Sequence, residues 1–393
     1  MIPQLFLQKP PKGILRPGHP WIYSSQLVLK GVQIAPGALV DVFTDRGRLI
    51  GRGYCNTSSQ IAVRLLTPRQ EEIDPVFFRK KIKKAYAYRQ RFVRDTNAFR
   101  LVSSEADGLP GFIADVYSEV LVVQFLTAGM ENLKPFLLSA LSEAMPVRGI
   151  YERSDSSVRK LEGLDEKKGW IEKNCRDEVV VHEGNIQYCV QFGEGHKTGF
   201  YLDQRENRHI LSNLGIQGRV LDAFCYEGAF GLHLAKAGAN VTGVDIQGQN
   251  IARAELHRQR NEISEENLRF KKADVFEELR ELEKKNEKFD LVILDPPSFL
   301  KKKTELDGAM AGFKEISLRA MKILNEGGLL ALFSCSFHVD EGRLLQTAVA
   351  AAMDTSKNLK LLRAMTQSLD HPIDPLIPET HYLKGFLFQV SSI

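Results

Sequence analysis

The stretch Val220–Asp245, VLDAFCYEGAFGLHLAKAGANVTGVD, constrains the fold more than any other part of this 393-residue chain. Val220 and Leu221 close an apolar run and read as a short buried strand with Asp222 at its C-terminal edge. Gly228 and Gly231 open a helical pattern carried by Leu232, Leu234 and Ala235, and the next apolar run, Val241–Val244, ends on Asp245. Strand, glycine turn, helix, strand and acid make half of a doubly wound nucleotide-binding fold. The glycines let the backbone approach a ligand at the helix N-terminus, and a carboxylate about 20 residues further on can hold both ribose hydroxyls. DAFCYEGAFG is not GxGxxG, and glycines also serve packing, so the turn alone leaves ligand binding open.

The succession of strand ends after Asp245 narrows the choice. Asp274 closes a third strand expected over Leu268–Ala273; Phe289–Leu294 runs into Asp295-Pro296-Pro297-Ser298-Phe299; and Leu329–Phe333 runs into Ser334-Cys335-Ser336. Polar residues thus stand at the C-terminal ends of successive strands, where open α/β sheets bind ligands.

A chain of this length exceeds one ordinary core, so two or three domains are expected. A content of 43% hydrophobic and 26% charged residues is that of a soluble globular protein. No apolar run reaches the roughly 18 residues of a membrane helix, and MIPQLFLQKPPKG lacks the succession of a signal peptide. Cys55, Cys175, Cys189, Cys225 and Cys335 form no CxxC pair, which suits the reducing cytoplasm and argues against a disulfide framework or a metal site. Of 53 Lys+Arg and 49 Asp+Glu, residues 1–100 carry 18 and 6, leaving 35 and 43 for the rest. A basic front joined to a mildly acidic remainder predicts a polyanion, nucleic acid, held at the front.

Residues 1–70 read as a small β domain: Leu39–Phe43 and Leu49–Tyr54 flank the hairpin loop Thr44-Asp45-Arg46-Gly47, and Ile61–Leu66 is a third strand. Pro75–Phe99 has a helical pattern, with Phe78, Ile82, Ala85, Tyr86, Phe92 and Val93 on one face. Arg79, Lys80, Lys83 and Lys84 on the other face are the candidate RNA phosphate contacts. The span 75–188 reads as a central α/β domain, with paired strands Gly111–Val116 and Val120–Phe125, a helix over Leu133–Ala144, a strand at Gly149–Glu152 and a hairpin around His182-Glu183-Gly184-Asn185. The nucleotide-binding domain takes 190–393.

Gly195-His196-Lys197-Thr198-Gly199-Phe200-Tyr201-Leu202-Asp203-Gln204-Arg205, Asp295-Pro296-Pro297, Ser334-Cys335-Ser336 and Tyr382-Leu383-Lys384-Gly385-Phe386 together carry a resemblance over nearly the whole chain. The chain resembles the bacterial S-adenosylmethionine-dependent 23S rRNA cytosine-C5 methyltransferases of the large-subunit type I family. The resemblance implies an N-terminal PUA-type β-barrel for RNA, a central α/β domain and a class I, Rossmann-like methyltransferase domain. It also implies S-adenosylmethionine as cofactor, RNA as partner, a monomer or homodimer, and a contribution of Tyr201, Asp203 and Arg205 to the cofactor site.

The residue types suit that chemistry. C5 of cytosine is a poor nucleophile, so methylating it needs a thiolate that adds at C6 and pushes electron density onto C5. Cys335, at a strand end and flanked by two hydroxyls, is the expected nucleophile, although an isolated cysteine is commonly an inert buried group. Asp295 is expected to face the base and hydrogen-bond or protonate N3, with Pro296 and Pro297 stiffening its loop. Phe299 is a candidate to stack on the base, and equally a candidate core residue. For the cofactor, Asp245 is the ribose ligand and Asp274 faces the adenine amino group. Asp222, Phe224, Tyr226 and Gly228 line the methionine part, with Asp295 beside it. Relatives among the wider cytosine-C5 enzymes carry a second cysteine after the proline motif, where this chain has Ser298, so the base that takes the C5 proton is not that thiol.

Three other readings compete. A guanine-N7 RNA methyltransferase shares the fold but needs no covalent thiol. An NAD-dependent oxidoreductase would want GxGxxG. A non-catalytic RNA-binding or ribosome assembly factor would not need the cofactor acids and Cys335 intact.

Overall fold

In the computed structural model, which describes residues 2–8, 18–29, 31, 33–193, 198–299 and 305–393, the opening strands are short, the longer ones carrying runs of buried residues. β1 (Gln4–Phe6), β2 (Trp21–Ile22), β3 (Ala38–Phe43), β4 (Leu49–Cys55) and β5 (Val63–Thr67) form one sheet in the order β1-β3-β4-β5-β2. The 44–47 loop joins β3 to β4 as the sequence indicates, with Gly47 at φ +77°, the left-handed region that glycine enters without a Cβ penalty. Ile22, Val40, Val42 and Val63 build this sheet's own core.

α1 (Pro75–Phe92) starts where Asp74 accepts a hydrogen bond from the backbone N–H of Phe77 and proline occupies the first turn. Phe78 and Ile82 are fully buried, each contributing roughly 1.5–3 kcal/mol. The helix ends at Phe92 rather than running to Phe99: Asp95 turns left-handed at φ +54°, and Phe99 belongs to the next strand. β6 (Ala98–Ser103), β7 (Phe112–Tyr117), β8 (Val120–Phe125), β9 (Gly149–Ser154) and β10 (Lys167–Lys173) form a second sheet in the order β10-β9-β8-β7-β6, with α2 (Ala128–Asn132) and α3 (Lys134–Ala144) following β8. Its core, from Phe77 through Leu121 to Ile150, is a second cluster that also takes in Tyr54 of β4 and Leu66 of β5. β11 (Glu178–Glu183) and β12 (Ile186–Gln191) make the expected hairpin.

The remaining elements alternate. They are α4 (Arg205–Ser212), β13 (Arg219–Ala223), α5 (Ala229–Lys236), β14 (Asn240–Asp245), α6 (Gly248–Arg260), β15 (Leu268–Lys272) and α7 (Val275–Lys284). After them come β16 (Phe289–Leu294), α8 (Leu306–Lys322), β17 (Leu324–Ser334), α9 (Glu341–Asp354), β18 (Lys357–Thr366) and β19 (Lys384–Ser392). The sheet order is β15-β14-β13-β16-β17-β19-β18. β13–β17 pair in parallel, and β19 enters antiparallel between β17 and β18. The order reverses beside β13, the topological switch point where doubly wound sheets open a crevice.

The chain divides into two compact units. One comprises Met1–Gly184, Cys189–Leu202 and Leu369–Thr380, the other Asn185–Tyr188, Asp203–Ser368 and His381–Ile393. The first unit therefore recruits a late strip of chain. Within it, Arg89 donates to the carbonyl of Asp370 at 2.7 Å, the Asp370 carboxylate accepts the N–H of Arg100 at 2.9 Å, and His19 lies 2.9 Å from Glu379. No described helix is long and apolar enough to cross a membrane.

Candidate active site

Strand register brings the acids together. Ala223 of β13 pairs with Val244 of β14 on one side and Leu294 of β16 on the other, so the next residues, Phe224, Asp245 and Asp295, emerge side by side at one edge of the sheet. Leu294 in turn pairs with Leu332 of β17, which brings Ser334 and Cys335 to the same edge.

The turn after β13 is held in an unusual shape. Phe224 (φ +64°), Tyr226 (φ +51°) and Gly228 (φ +80°) are all left-handed, a conformation costing about 1–2 kcal/mol for each residue that has a Cβ. The surroundings enforce it. Cys225 N–H donates to the carbonyl of Val244 at 2.9 Å, Tyr226 N–H to Asp245 Oδ2 at 3.0 Å, and Gly228 N–H to the carbonyl of Cys225 at 2.8 Å. Gly228 admits no side chain, because a Cβ would stand 2.4 Å from the ring of Phe270.

Asp222 is 1% exposed; its Oδ2 accepts the N–H of Gly231 at 3.0 Å, and its Oδ1 has no partner. Burial pushes its carboxyl up to about 7, and the charges of Asp295 and Asp245 add to that, against the Gly231 N–H and Arg208. Asp245 is fixed by three donors: Tyr226 N–H on Oδ2, with Gln247 N–H (2.8 Å) and the Asn250 amide (3.1 Å) on Oδ1. Asp274 caps α7, its Oδ1 accepting from Phe276 and Glu277 N–H, and these bonds do not use Oδ2. Burial drives the Cys225 thiol well above its ordinary range, so this cysteine is an inert packing group.

Asp295 follows β16 and accepts from the Gln204 side-chain amide at 3.0 Å. Pro296 is buried and Pro297 exposed. Phe299 packs against Phe224, Phe276 and Phe313, with centroids 6.3, 5.9 and 4.9 Å away, which gives it a packing role. Cys335 leaves β17 half-buried, between Ser334, which pairs with the buried Lys384, and Ser336, whose carbonyl accepts from Lys384 Nζ at 2.9 Å.

The remaining candidates lie on other elements. Asp203 and Arg205 are buried at the turn into α4, Asp203 accepting the Tyr382 hydroxyl at 2.7 Å and Arg205 pairing with Glu206 at 3.2 Å. Tyr201 falls in the first unit, as do the cations of α1. Arg79 is engaged by Glu143 at 2.6 Å, whereas Lys80, Lys83 and Lys84 are exposed and form no ion pair among the described residues. Lys84 and Lys81 line a cavity of about 670 Å³ with Arg48, Tyr88 and Leu66; burial, and after it the charge of Lys84, depresses the Lys81 ammonium. Gly195–Lys197 and the basic loop Lys301–Thr304 lie outside the described residues. Among the described residues no cluster of His, Cys, Asp and Glu is placed to hold a metal ion.

Sequence reasoning placed Lys81 only on the basic face of the first helix and gave no individual role to Gln204, Asn250 or Lys384. Lys384 left a signal: a lysine set between Leu383 and Gly385-Phe386-Leu387-Phe388, inside an otherwise apolar run.

Comparison with known proteins agrees with this architecture. Residues 7–68 match the PUA-like domain family and residues 216–382 the methyltransferase domain family. The chain is 42% identical to the ribosomal RNA large subunit methyltransferase I of Tolumonas auensis, over 98% of both chains. It is 40% identical to that of Photobacterium profundum, over 98% of this chain and 99% of the other. Its fold is that of a solved structure described as a SAM-dependent methyltransferase from Streptococcus mutans, with a TM-score of 0.82 at 20% identity over 99% of this chain and 100% of that one.

Proposed function

The chain belongs to the ribosomal RNA large subunit methyltransferase I family, and from that membership we propose that it methylates C5 of a cytidine in 23S rRNA through a covalent adduct on Cys335. It is an S-adenosylmethionine-dependent methyltransferase of large-subunit rRNA. Its PUA-like domain serves RNA binding, and its place of work is the cytoplasm.

The residues at the crevice fit the cofactor. The orphaned, buried Oδ1 of Asp222 suits a cationic amino-acid group, and the Phe224–Gly228 turn, left-handed at Phe224, Tyr226 and Gly228, follows directly on the strand that carries it. Asp245, immobilised by three donors, keeps a lone pair on Oδ2 for a ribose hydroxyl. Asp274 Oδ2 is available to an amino group. When bound, S-adenosylmethionine supplies a sulfonium methyl group and departs as the thioether.

Cys335, as thiolate, adds to C6 of the cytosine, and the electron pair of the C5–C6 bond moves toward C5 while N3 takes a proton from Asp295. C5 then accepts the methyl group. A base removes the C5 proton, the Cys335–C6 bond breaks, the C5–C6 double bond re-forms, and Asp295 recovers its proton from N3. The target base must leave its helix to reach a thiol at the strand ends.

One observation carries this reading: the register that sets Asp295 and Cys335 at the ends of adjacent strands, β16 and β17. The test is incubation with rRNA containing 5-fluorocytidine and S-adenosylmethionine, followed by a denaturing gel. A shifted band that disappears in Cys335→Ala is expected, because fluorine cannot leave C5 as a proton does. Methyl transfer to ordinary rRNA without such a band would overturn the covalent cytosine reading in favour of guanine N7.

A further inference from the structure

Lys384 is among the least expected residues of the second unit. It lies in β19 opposite Ser334 of β17 and Thr366 of β18, and it is 4% exposed. An ammonium in such a place costs several kcal/mol unless it is compensated. Its Nζ donates to the carbonyls of Ser336 and Tyr382, both at 2.9 Å, and forms no ion pair within 4.0 Å among the described residues. Two neutral carbonyls leave the third N–H and the net charge to be accounted for. Burial pulls the ammonium down. The strongest pull upward comes from Cys335, ahead of Glu341 and Asp340.

We propose that Lys384 is the positioning residue of the nucleophile: held by the Ser336 and Tyr382 carbonyls, its ammonium braces the turn after β17 and keeps Cys335 as a thiolate. The inference rests on Cys335 being the nucleophile. The thiol proton goes to solvent, and Lys384 stays protonated throughout. A fixed cation beside a thiol is a general means of making it reactive at neutral pH. Asp295, at the end of the adjacent strand β16, opposes the thiolate whenever it is ionised. The other opposing charges nearby are Asp340 and Glu341 at the start of α9. Both are exposed, with Arg343 3.5 Å from Asp340 and His381 3.8 Å from Glu341, so solvent and these partners blunt their effect on the thiol.

The test is alkylation of Cys335 by iodoacetamide, followed on its own peptide by mass spectrometry from about pH 5.5 to about pH 10. Wild type, Lys384→Met and Lys384→Arg are compared, with cofactor binding as the check of folding. The wild-type midpoint is expected below the ordinary thiol value of about 8.5. Lys384→Met should raise it, with roughly a tenfold slower reaction at neutral pH for each unit, while Lys384→Arg stays near wild type. A structural brace alone would leave all three midpoints equal, and that result overturns the proposal. If Lys384→Met fails to bind cofactor, the wild-type midpoint decides: at or above about 8.5 the proposal fails, and below it, with Lys384→Arg matching, the proposal holds. A trapped fluorocytidine adduct with a Lys384-independent midpoint sinks only this inference. A low, Lys384-dependent midpoint without any adduct sinks the cytosine reading and leaves the charge coupling standing.

Discussion

The side-chain amide of Gln204 donates to Oδ2 of Asp295 at 3.0 Å, and its own oxygen accepts from the amide of Asn207 at 2.6 Å. Asn207 is tied in turn to the carbonyl of Thr366 at 2.9 Å. The carboxyl group expected to face the base is therefore oriented from the turn into α4 and from β18, two elements remote from it in sequence. Gln204→Leu should lower the rate of methyl transfer about tenfold, the loss of one hydrogen bond to a carboxyl group that becomes charged as it gives its proton to N3. Cofactor affinity should stay within about twofold, since Gln204 touches none of Asp222, Asp245 or Asp274. Single-turnover kinetics checks this; an unchanged rate would show that Asp295 needs no such orientation.

Asp222 makes cofactor binding and stability respond to pH in opposite senses. Its folded value of about 7 lies above the ordinary 3.8, so the folded state holds a proton that the unfolded state releases between those values. Its contribution to stability is therefore present at low pH and lost as pH rises through about 7. Melting curves of the cofactor-free protein should show wild type losing stability between about pH 5 and pH 8 relative to Asp222→Asn. A cationic cofactor prefers the ionised carboxylate, so wild-type affinity should rise over the same interval, and that rise should vanish in the variant.

Gly228→Ala confronts both a left-handed backbone and the ring of Phe270, 2.4 Å from the new Cβ. Denaturant unfolding should show a loss of about 1–3 kcal/mol. Because the turn must shift, cofactor affinity should drop with it. A variant of wild-type stability would mean that Phe270 moves aside at no cost.

The basic face of α1 offers an internally controlled test of the RNA path. Lys80, Lys83 and Lys84 are exposed without ion pairs among the described residues, whereas Arg79 is held by Glu143. Neutralising the three lysines should flatten the slope of log affinity against log salt by up to about 2, near 0.7 for each phosphate contact with a single strand. Arg79→Gln should leave the slope unchanged. Filter binding over a salt series decides; equal slopes for the triple variant and wild type would move RNA off this face.

Much of the second unit was legible because parallel strands buried on both faces read as unbroken apolar runs. β13, β14, β16 and the end of β17 fall where Val220–Leu221, Val241–Val244, Phe289–Leu294 and Leu329–Phe333 put them. Strand ends that carry an acid also located Asp222, Asp245 and Asp295. Less visible was what depends on distant sequence. β18 interrupts its apolar residues with Lys360 and Arg363 and leaves Leu361 and Leu362 exposed, so it shows no clean strand pattern, and the place of β19 between β17 and β18 follows from long-range pairing alone. The helical pattern of α1 ran past its true end, because Phe92 and Phe99 keep the spacing while Asp95 breaks the backbone. Asp274 was read as the end of a strand, whereas β15 stops at Lys272 and Asp274 caps the next helix. Lys384 and Gln204 reach the site through pairing across some 50 to 90 residues, which no local pattern encodes.

The late strip Leu369–Thr380 also sets the order in which the protein can be completed. While the chain is being made, Arg89 and Arg100 wait for Asp370, and His19 for Glu379, until the methyltransferase sheet has all but left the ribosome. The first unit is thus completed only near the end of synthesis, although most of it is made first, and only β19 of the second unit follows the strip. A fragment cut after β12 lacks those partners, and a chimera that moves the RNA-binding front onto another enzyme has to carry the strip along on a grafted linker.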